Sequence, residues 1–130
     1  MEIRVEREIS FRLAVHGRLL IDGDRVCDTL ENGATCMKPG SYPLVRSYSL
    51  FSAANGIHRL GEKIAVGEWQ YLGFLVRTQP VREQLLTYIR QLRHRQVPLV
   101  LVISEEGMQR LEYTRRAVEI SLLHGSAMLY

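Results

Sequence analysis

The chain predicts an α+β fold: a mainly antiparallel sheet, laid out as a meander that can close toward a barrel, with one amphipathic helix packed on it and a second helix at the C-terminus. Three observations carry this. Residues 2–15 alternate apolar and polar side chains. Asp22-Gly23 and Pro39-Gly40 punctuate the short apolar runs that follow. From Pro80 onward the apolar spacing changes from two residues to three and four, and those two periods distinguish strands from helices.

In the first run, Ile3, Val5, Ile9, Phe11, Leu13 and Val15 share one side, and Glu2, Arg4, Glu6, Glu8, Ser10 and Arg12 the other. Only Arg7 breaks the apolar row, so a half-buried strand bent or bulged at Arg7 is expected. His16-Gly17 is expected to turn it into a strand around Leu19 to Ile21. Asp22-Gly23 supplies the positive φ of a tight hairpin leading into Val26 to Leu30. Asn32-Gly33 opens a loop, and Pro39-Gly40 starts a strand at Tyr42 to Arg46. The stretch from Ser47 to Gly61, rich in Ser, Ala, Asn and Gly, reads as an irregular loop. Ile64 to Val66 and Trp69 to Val76 read as two more short strands.

Pro80 suits a first helical residue, and Val81, Leu85, Leu86, Ile89 and Leu92 recur at helical spacing, so a helix is expected from Pro80 to about Arg95. Pro98 lies beyond it, and Leu99 to Ser104 is strand-like. Glu105 to His124 reads as a helix behind Ser104, with acids in its first turn and Gly125 past its end, although Val118 to Leu122 also alternates like a strand. The phases predict a core of Ile3, Val5, Ile9, Phe11, Leu13, Leu20, Val26, Leu30, Tyr42, Leu44, Ile64, Val66, Leu85, Ile89, Leu92, Leu99 and Leu101.

With 130 residues, the chain is one domain spanning 1–130, divisible into a core of 1–104 and an extension of 105–130. Its apolar share of 46% and charged share of 24% are those of an ordinary globular protein, which argues against disorder. The longest apolar run, Leu99 to Ile103, is strand-sized, so no membrane association is expected. The charged start, Met1 to Glu8, and the sparse cysteines point to a cytoplasmic location. Cys27 and Cys36 stand nine residues apart, a spacing of neither a C-x-x-C pair nor a zinc knuckle, so no metal or cofactor is expected. Two buried or loop thiols and a disulfide both remain open.

The formal charge of +3 is too mild to require a nucleic-acid partner, yet fifteen arginines stand against two lysines. Arg82, Arg90 and Arg93 fall within an arc of about 80° at 3.6 residues per turn and make one helix side basic, which would suit phosphate; a solvated surface face explains the same pattern. Trp69 and Tyr71 share a period-2 face and form an aromatic wall for the sheet, a sugar or a base. His58, in the loop Asn55 to Gly61, is the candidate base, with Cys36 or Cys27 as nucleophile. Glu31 is read first as a structural carboxylate accepting backbone N–H bonds at a strand end, and as an acid or base only if His58 is near it. No G-x-S-x-G, phosphate loop or H-E-x-x-H occurs.

The segment from Gly17 to Arg46 carries Leu20-Ile21-Asp22-Gly23, then Cys27, Thr29-Leu30-Glu31, and Pro39-Gly40 with Tyr42. It resembles a family of unknown function found in phages, prophages and bacteria, with the pattern I-D-G, C-x-T-L-E and P-x-G-x-Y. The resemblance runs in order from about Gly17 to Ile103. Members of that family continue with a histidine and a Gly-Cys segment whose layout is similar to that of L,D-transpeptidases, which cross-link peptidoglycan through a cysteine thioester. Here His58 and Ile64-Ala65-Val66-Gly67 match, while Glu62-Lys63 stands where Gly-Cys would be, and lysine cannot replace a thiolate nucleophile in that chemistry. The resemblance therefore implies a non-catalytic binding or assembly module of phage or mobile-element origin. The alternatives are a peptidoglycan-directed cysteine transferase or hydrolase and a weak nucleic-acid binder. In the extension, Met108, Leu111, Val118 and Leu122 form one apolar stripe and Tyr113, Ala117 and Ile120 another, which predicts self-association through 105–124.

Overall fold

The computed structural model describes residues 1–111. Its strands are β1 (Glu2–Phe11), β2 (Ala14–Ile21), β3 (Asp24–Asn32), β4 (Gly40–Pro43), β5 (Phe51–Ser52), β6 (Ile64–Tyr71), β7 (Phe74–Val76), β8 (Val100–Ser104) and β9 (Gln109–Leu111). Two helices, α1 (Ser47–Leu50) and α2 (Thr78–His94), complete it. The strands form one curled half-barrel sheet in the order β4-β8-β1-β2-β3-β6-β5, with β7 on β6 and β9 on β1.

Most pairings are antiparallel, but β1 runs parallel to both β8 and β9, and β5 runs parallel to β6. The expectation of a simple meander is corrected there. A parallel pair needs a crossover, and α2 supplies the one that returns the chain to the side of β1.

Two adjacent rows of the sheet explain the alternation in the sequence. Ile103, Val5, Leu19 and Cys27 stand side by side across β8, β1, β2 and β3, and all are buried. The next row, Ser104, Glu6, Arg18, Asp28 and Gly67, crosses five strands and points to the other face. The buried face packs against α2 through Leu85, Leu86 and Ile89. A smaller cluster of Ala14, Leu30, Leu60, Ala65 and Leu75 closes part of the opposite face.

Several expectations need correction. The first turn falls at Arg12-Leu13, where Arg12 has φ 53, and β2 continues through His16-Gly17. Leu13 is therefore exposed in the turn. Gly17 serves another purpose: a Cβ there would lie 2.4 Å from the Glu6 carbonyl oxygen and 2.9 Å from Thr29 Oγ1. Val26 is exposed because the β2–β3 register slips, pairing Leu19 with Cys27 and Leu20 with Arg25 and leaving Val26 as the extra residue. Phe11, Leu20, Tyr42 and Leu99 are only partly buried. Phe51, Leu60 and Leu75 are core residues that the periodicity does not reveal, since each lies in a short or irregular segment.

Ser47–Leu50 is helical within the segment read as a loop, and Ile64–Tyr71 is one continuous strand followed by a turn at Leu72-Gly73. The register shift expected at Arg7 is present between Arg7 and Ile9. The helix expected from Glu105 is replaced over its first seven residues: a turn with Gly107 at φ 72 leads into β9, and main-chain pairing to β1 takes the place of helical bonds. The remainder of that segment, and the self-association assigned to it, lies outside the described residues.

Candidate functional site

The break in the first apolar row proves to be a buried ion pair. Arg7 continues the inward side of β1, and its guanidinium donates to both oxygens of Glu31, at 3.0 Å from Nε and 2.8 Å from Nη2. The two side chains are 2% and 0% exposed. Arg7 also donates to the Met37 carbonyl and, at 3.4 Å, to Glu105. Burial opposes the Arg7 charge, but the hydrogen bonds and field of Glu31 outweigh it and raise its pKa. The Glu31 carboxylate is held by a guanidinium in place of the backbone donors expected from the sequence.

The thiols sit differently from one another. Cys27 is buried in the core, where desolvation and then Asp28 push its thiol up to about 12. Cys36 is partly buried; burial raises its pKa, Arg7 works against that, and Glu31 adds to it. Both cysteines are free, so the disulfide alternative is set aside. His58 is exposed in its loop. Thr35 Oγ1 donates to the Gly61 carbonyl at 2.6 Å, so the loops carrying Cys36 and His58 touch through their neighbours. Glu62 and Lys63 lie exposed in the same loop as His58.

The basic helix is largely engaged with its own protein. Arg82 donates to the carbonyls of Phe51 at 2.7 Å and Tyr48 at 2.9 Å, and its guanidinium lies over the Tyr48 ring. Arg93 donates to the carbonyls of Val45 at 2.9 Å and Leu44 at 2.6 Å. These two arginines clamp the β4–α1–β5 segment onto α2. Arg90 remains exposed.

Trp69 and Tyr71 do not form one wall. A register shift separates them; Tyr71 stacks on Phe74 with centroids 5.1 Å apart, and Trp69 stacks on the buried His16 at 4.5 Å. His16 Nε2 accepts the Gly73 N–H at 2.7 Å, which places the ring proton on Nδ1.

Trp69 stands two residues beyond Gly67, where the charged row of the sheet ends, and it lines a cleft of about 670 Å³. Its walls hold four arginines (Arg4, Arg7, Arg18, Arg25) and four acids (Glu6, Glu8, Asp28, Glu106), with Trp69, Ser104 and Gln109 among the rest. Arg18 Nε donates to Glu6 at 2.9 Å, Arg25 donates to Asp28, and the second Asp28 oxygen accepts the Trp69 N–H at 2.7 Å. The signal for this site was the polar side of the first alternating strand, read on its own only as a wet face.

Among the described residues, no three histidine, cysteine or acidic side chains group closely enough to hold a metal ion, and no helix is long and apolar enough to cross a membrane. Comparison with protein-family models, curated proteins and solved structures finds no match for this chain.

Proposed function

We propose that the chain is a non-catalytic binding or assembly module, of the phage or mobile-element kind that its Thr-Leu-Glu and Pro-Gly-Ser-Tyr segments resemble, and that it binds through the outer face of its sheet. The observation that carries this is the contrast between two sets of residues. The catalytic candidates are each engaged or unsuited: Cys27 is buried, the Cys36 thiol is raised by burial, Glu31 is locked to Arg7, and His58 stands exposed. A thiol with a raised pKa is a poor nucleophile at neutral pH. The outer face, by contrast, concentrates charged side chains and a tryptophan around one cleft.

Alkylation by iodoacetamide at pH 7.5, followed by mass detection, tests the reading. Both thiols should react more slowly than free cysteine. A Cys36 that reacts ten times faster than free cysteine would favour acyl transfer instead.

A second reading, a peptidoglycan-directed transferase or hydrolase using Cys36 and His58, draws support from the Thr35–Gly61 bond that joins their loops. It predicts release of soluble fragments, or new cross-links, when the protein is incubated with purified sacculi, and loss of that activity in Cys36→Ala.

A further inference from the structure

We infer that the cleft on the outer sheet face binds an uncharged oligosaccharide, with Trp69 as the stacking platform and the Glu6–Arg18–Asp28 row as the hydroxyl-recognising floor. The inference rests on the binding-module reading and names the ligand for that surface.

Sugars ask two things of a site. Their C–H faces pack on an aromatic ring, and their hydroxyls, each both donor and acceptor, need fixed acceptors and donors in alternation. The cleft supplies both. Trp69 lines it and is backed by the His16 ring at 4.5 Å with an interplanar angle of 20°, so the indole is held in a fixed plane. Its main-chain N–H is tied to Asp28 at 2.7 Å, which couples the ring to the floor.

The floor alternates acceptor, donor, acceptor across three neighbouring strands: Glu6 opposite Arg18, and Arg18 opposite Asp28. The Glu6–Arg18 and Arg25–Asp28 contacts hold these groups in place before any ligand arrives, so little side-chain freedom is lost on binding. Strand backbones position them more rigidly than a loop would.

Charge balance selects against other ligands. Arg7 turns inward to Glu31, so three arginines (Arg4, Arg18, Arg25) face four carboxylates in the lining. A nucleic acid or other polyanion meets at least as much repulsion as attraction, and its affinity would come from counterion release that this surface cannot supply. The arginines are also engaged, Arg4 with Glu2 at 3.1 Å and Arg18 with Glu6 at 2.9 Å. A volume of about 670 Å³ falls within the roughly 300–1,000 Å³ of small-ligand sites.

Trp69 is the one tryptophan of the chain, so its fluorescence reports on the cleft alone. The full chain is titrated with chitotetraose and cellotetraose, and with a heparin tetrasaccharide as the charged comparator, at 50 and 300 mM salt. A saturable emission shift is expected with at least one neutral tetrasaccharide at millimolar concentration or below, changing less than twofold between the two salts. By calorimetry, Arg18→Leu should weaken that binding at least fivefold. Arg90→Leu, on the far helix, should change it less than twofold. Trp69→Phe, which keeps a ring on His16, should weaken it about threefold. No saturable shift with either neutral sugar up to 10 mM overturns the proposal, as does a shift seen only with the heparin fragment and abolished at 300 mM salt. Failure here leaves slow thiol alkylation intact, whereas failure of the module reading appears as a reactive Cys36, so the two results separate.

Discussion

Arg7 and Glu31 meet as a two-pronged fork at 3.0 and 2.8 Å, both buried, one from β1 and one from β3 with β2 between them. The bond spans β2, where Gly17 stands opposite both Arg7 and Thr29. A register shift immediately after Arg7 re-aims the strand at that point.

Removing one partner leaves the other buried and unpaired. Arg7→Met or Glu31→Gln alone should destabilise the fold by about 3–5 kcal/mol, and the double variant Arg7→Met with Glu31→Leu by much less, because two apolar groups leave no orphaned charge. Urea unfolding of the three variants checks this. Equal losses in the double and single variants would show that packing, not charge pairing, is the main contribution.

Gly17→Ala follows from the same geometry. The added carbon would press on the Glu6 carbonyl at 2.4 Å, a backbone atom that cannot swing away. Strain of this kind in a packed interior costs about 1–3 kcal/mol, and thermal unfolding should show a lower midpoint. An unchanged midpoint would mean that β1 and β2 can separate without cost at that register.

Leu85 and Ile89 are each about 1% exposed and form the centre of the contact between α2 and the sheet. Truncation of either to Ala should cost about 2–5 kcal/mol, while Leu13→Ser and Val26→Thr, at exposed positions, should stay within about 0.5 kcal/mol of the parent. The comparison separates the two halves of the periodicity argument. Helical spacing over 81–92 identified the buried face correctly. The strand phases failed at Leu13 and Val26 because a turn at Arg12 and an extra residue at Val26 each shift the period by one, and neither leaves a composition signal. The parallel partners of β1 were illegible for a related reason: they depend on where α2 returns the chain, which local alternation does not encode. Arg7 was legible as an anomaly but not as half of a pair, since its partner lies 24 residues away. The outer cleft shows in the sequence only as a wet face because its walls come from six strands.

Arg82 and Arg93 should behave as clamps and not as ligand contacts. Replacing either with Leu removes charged hydrogen bonds to two carbonyls, each worth about 1.5–3 kcal/mol at most, and should speed amide exchange at Leu50, whose N–H bonds Arg46 within the clamped segment. The Arg90→Leu variant should leave that exchange unchanged. If all three variants exchange alike, the clamp does not hold the segment.

The buried thiol gives a pH signature with a definite sign. Cys27 titrates near 9 when unfolded and at about 12 in the fold, because burial and then Asp28 disfavour the thiolate. The native state therefore keeps its proton where the unfolded state has lost it. The stability this difference contributes is present in full below about pH 9 and is lost progressively as pH rises from about 9 toward 12. Cys27→Ala should remove that slope while lowering stability at neutral pH through lost packing, so the parent and variant curves of unfolding free energy against pH should converge above pH 9. Cys36→Ala, at a partly exposed site, should leave most of the slope in place. Unfolding by urea at intervals from pH 7 to 10.5 measures all three proteins. A parent curve that remains parallel to that of Cys27→Ala across the range would mean that Cys27 ionises as readily in the folded protein as in the unfolded chain.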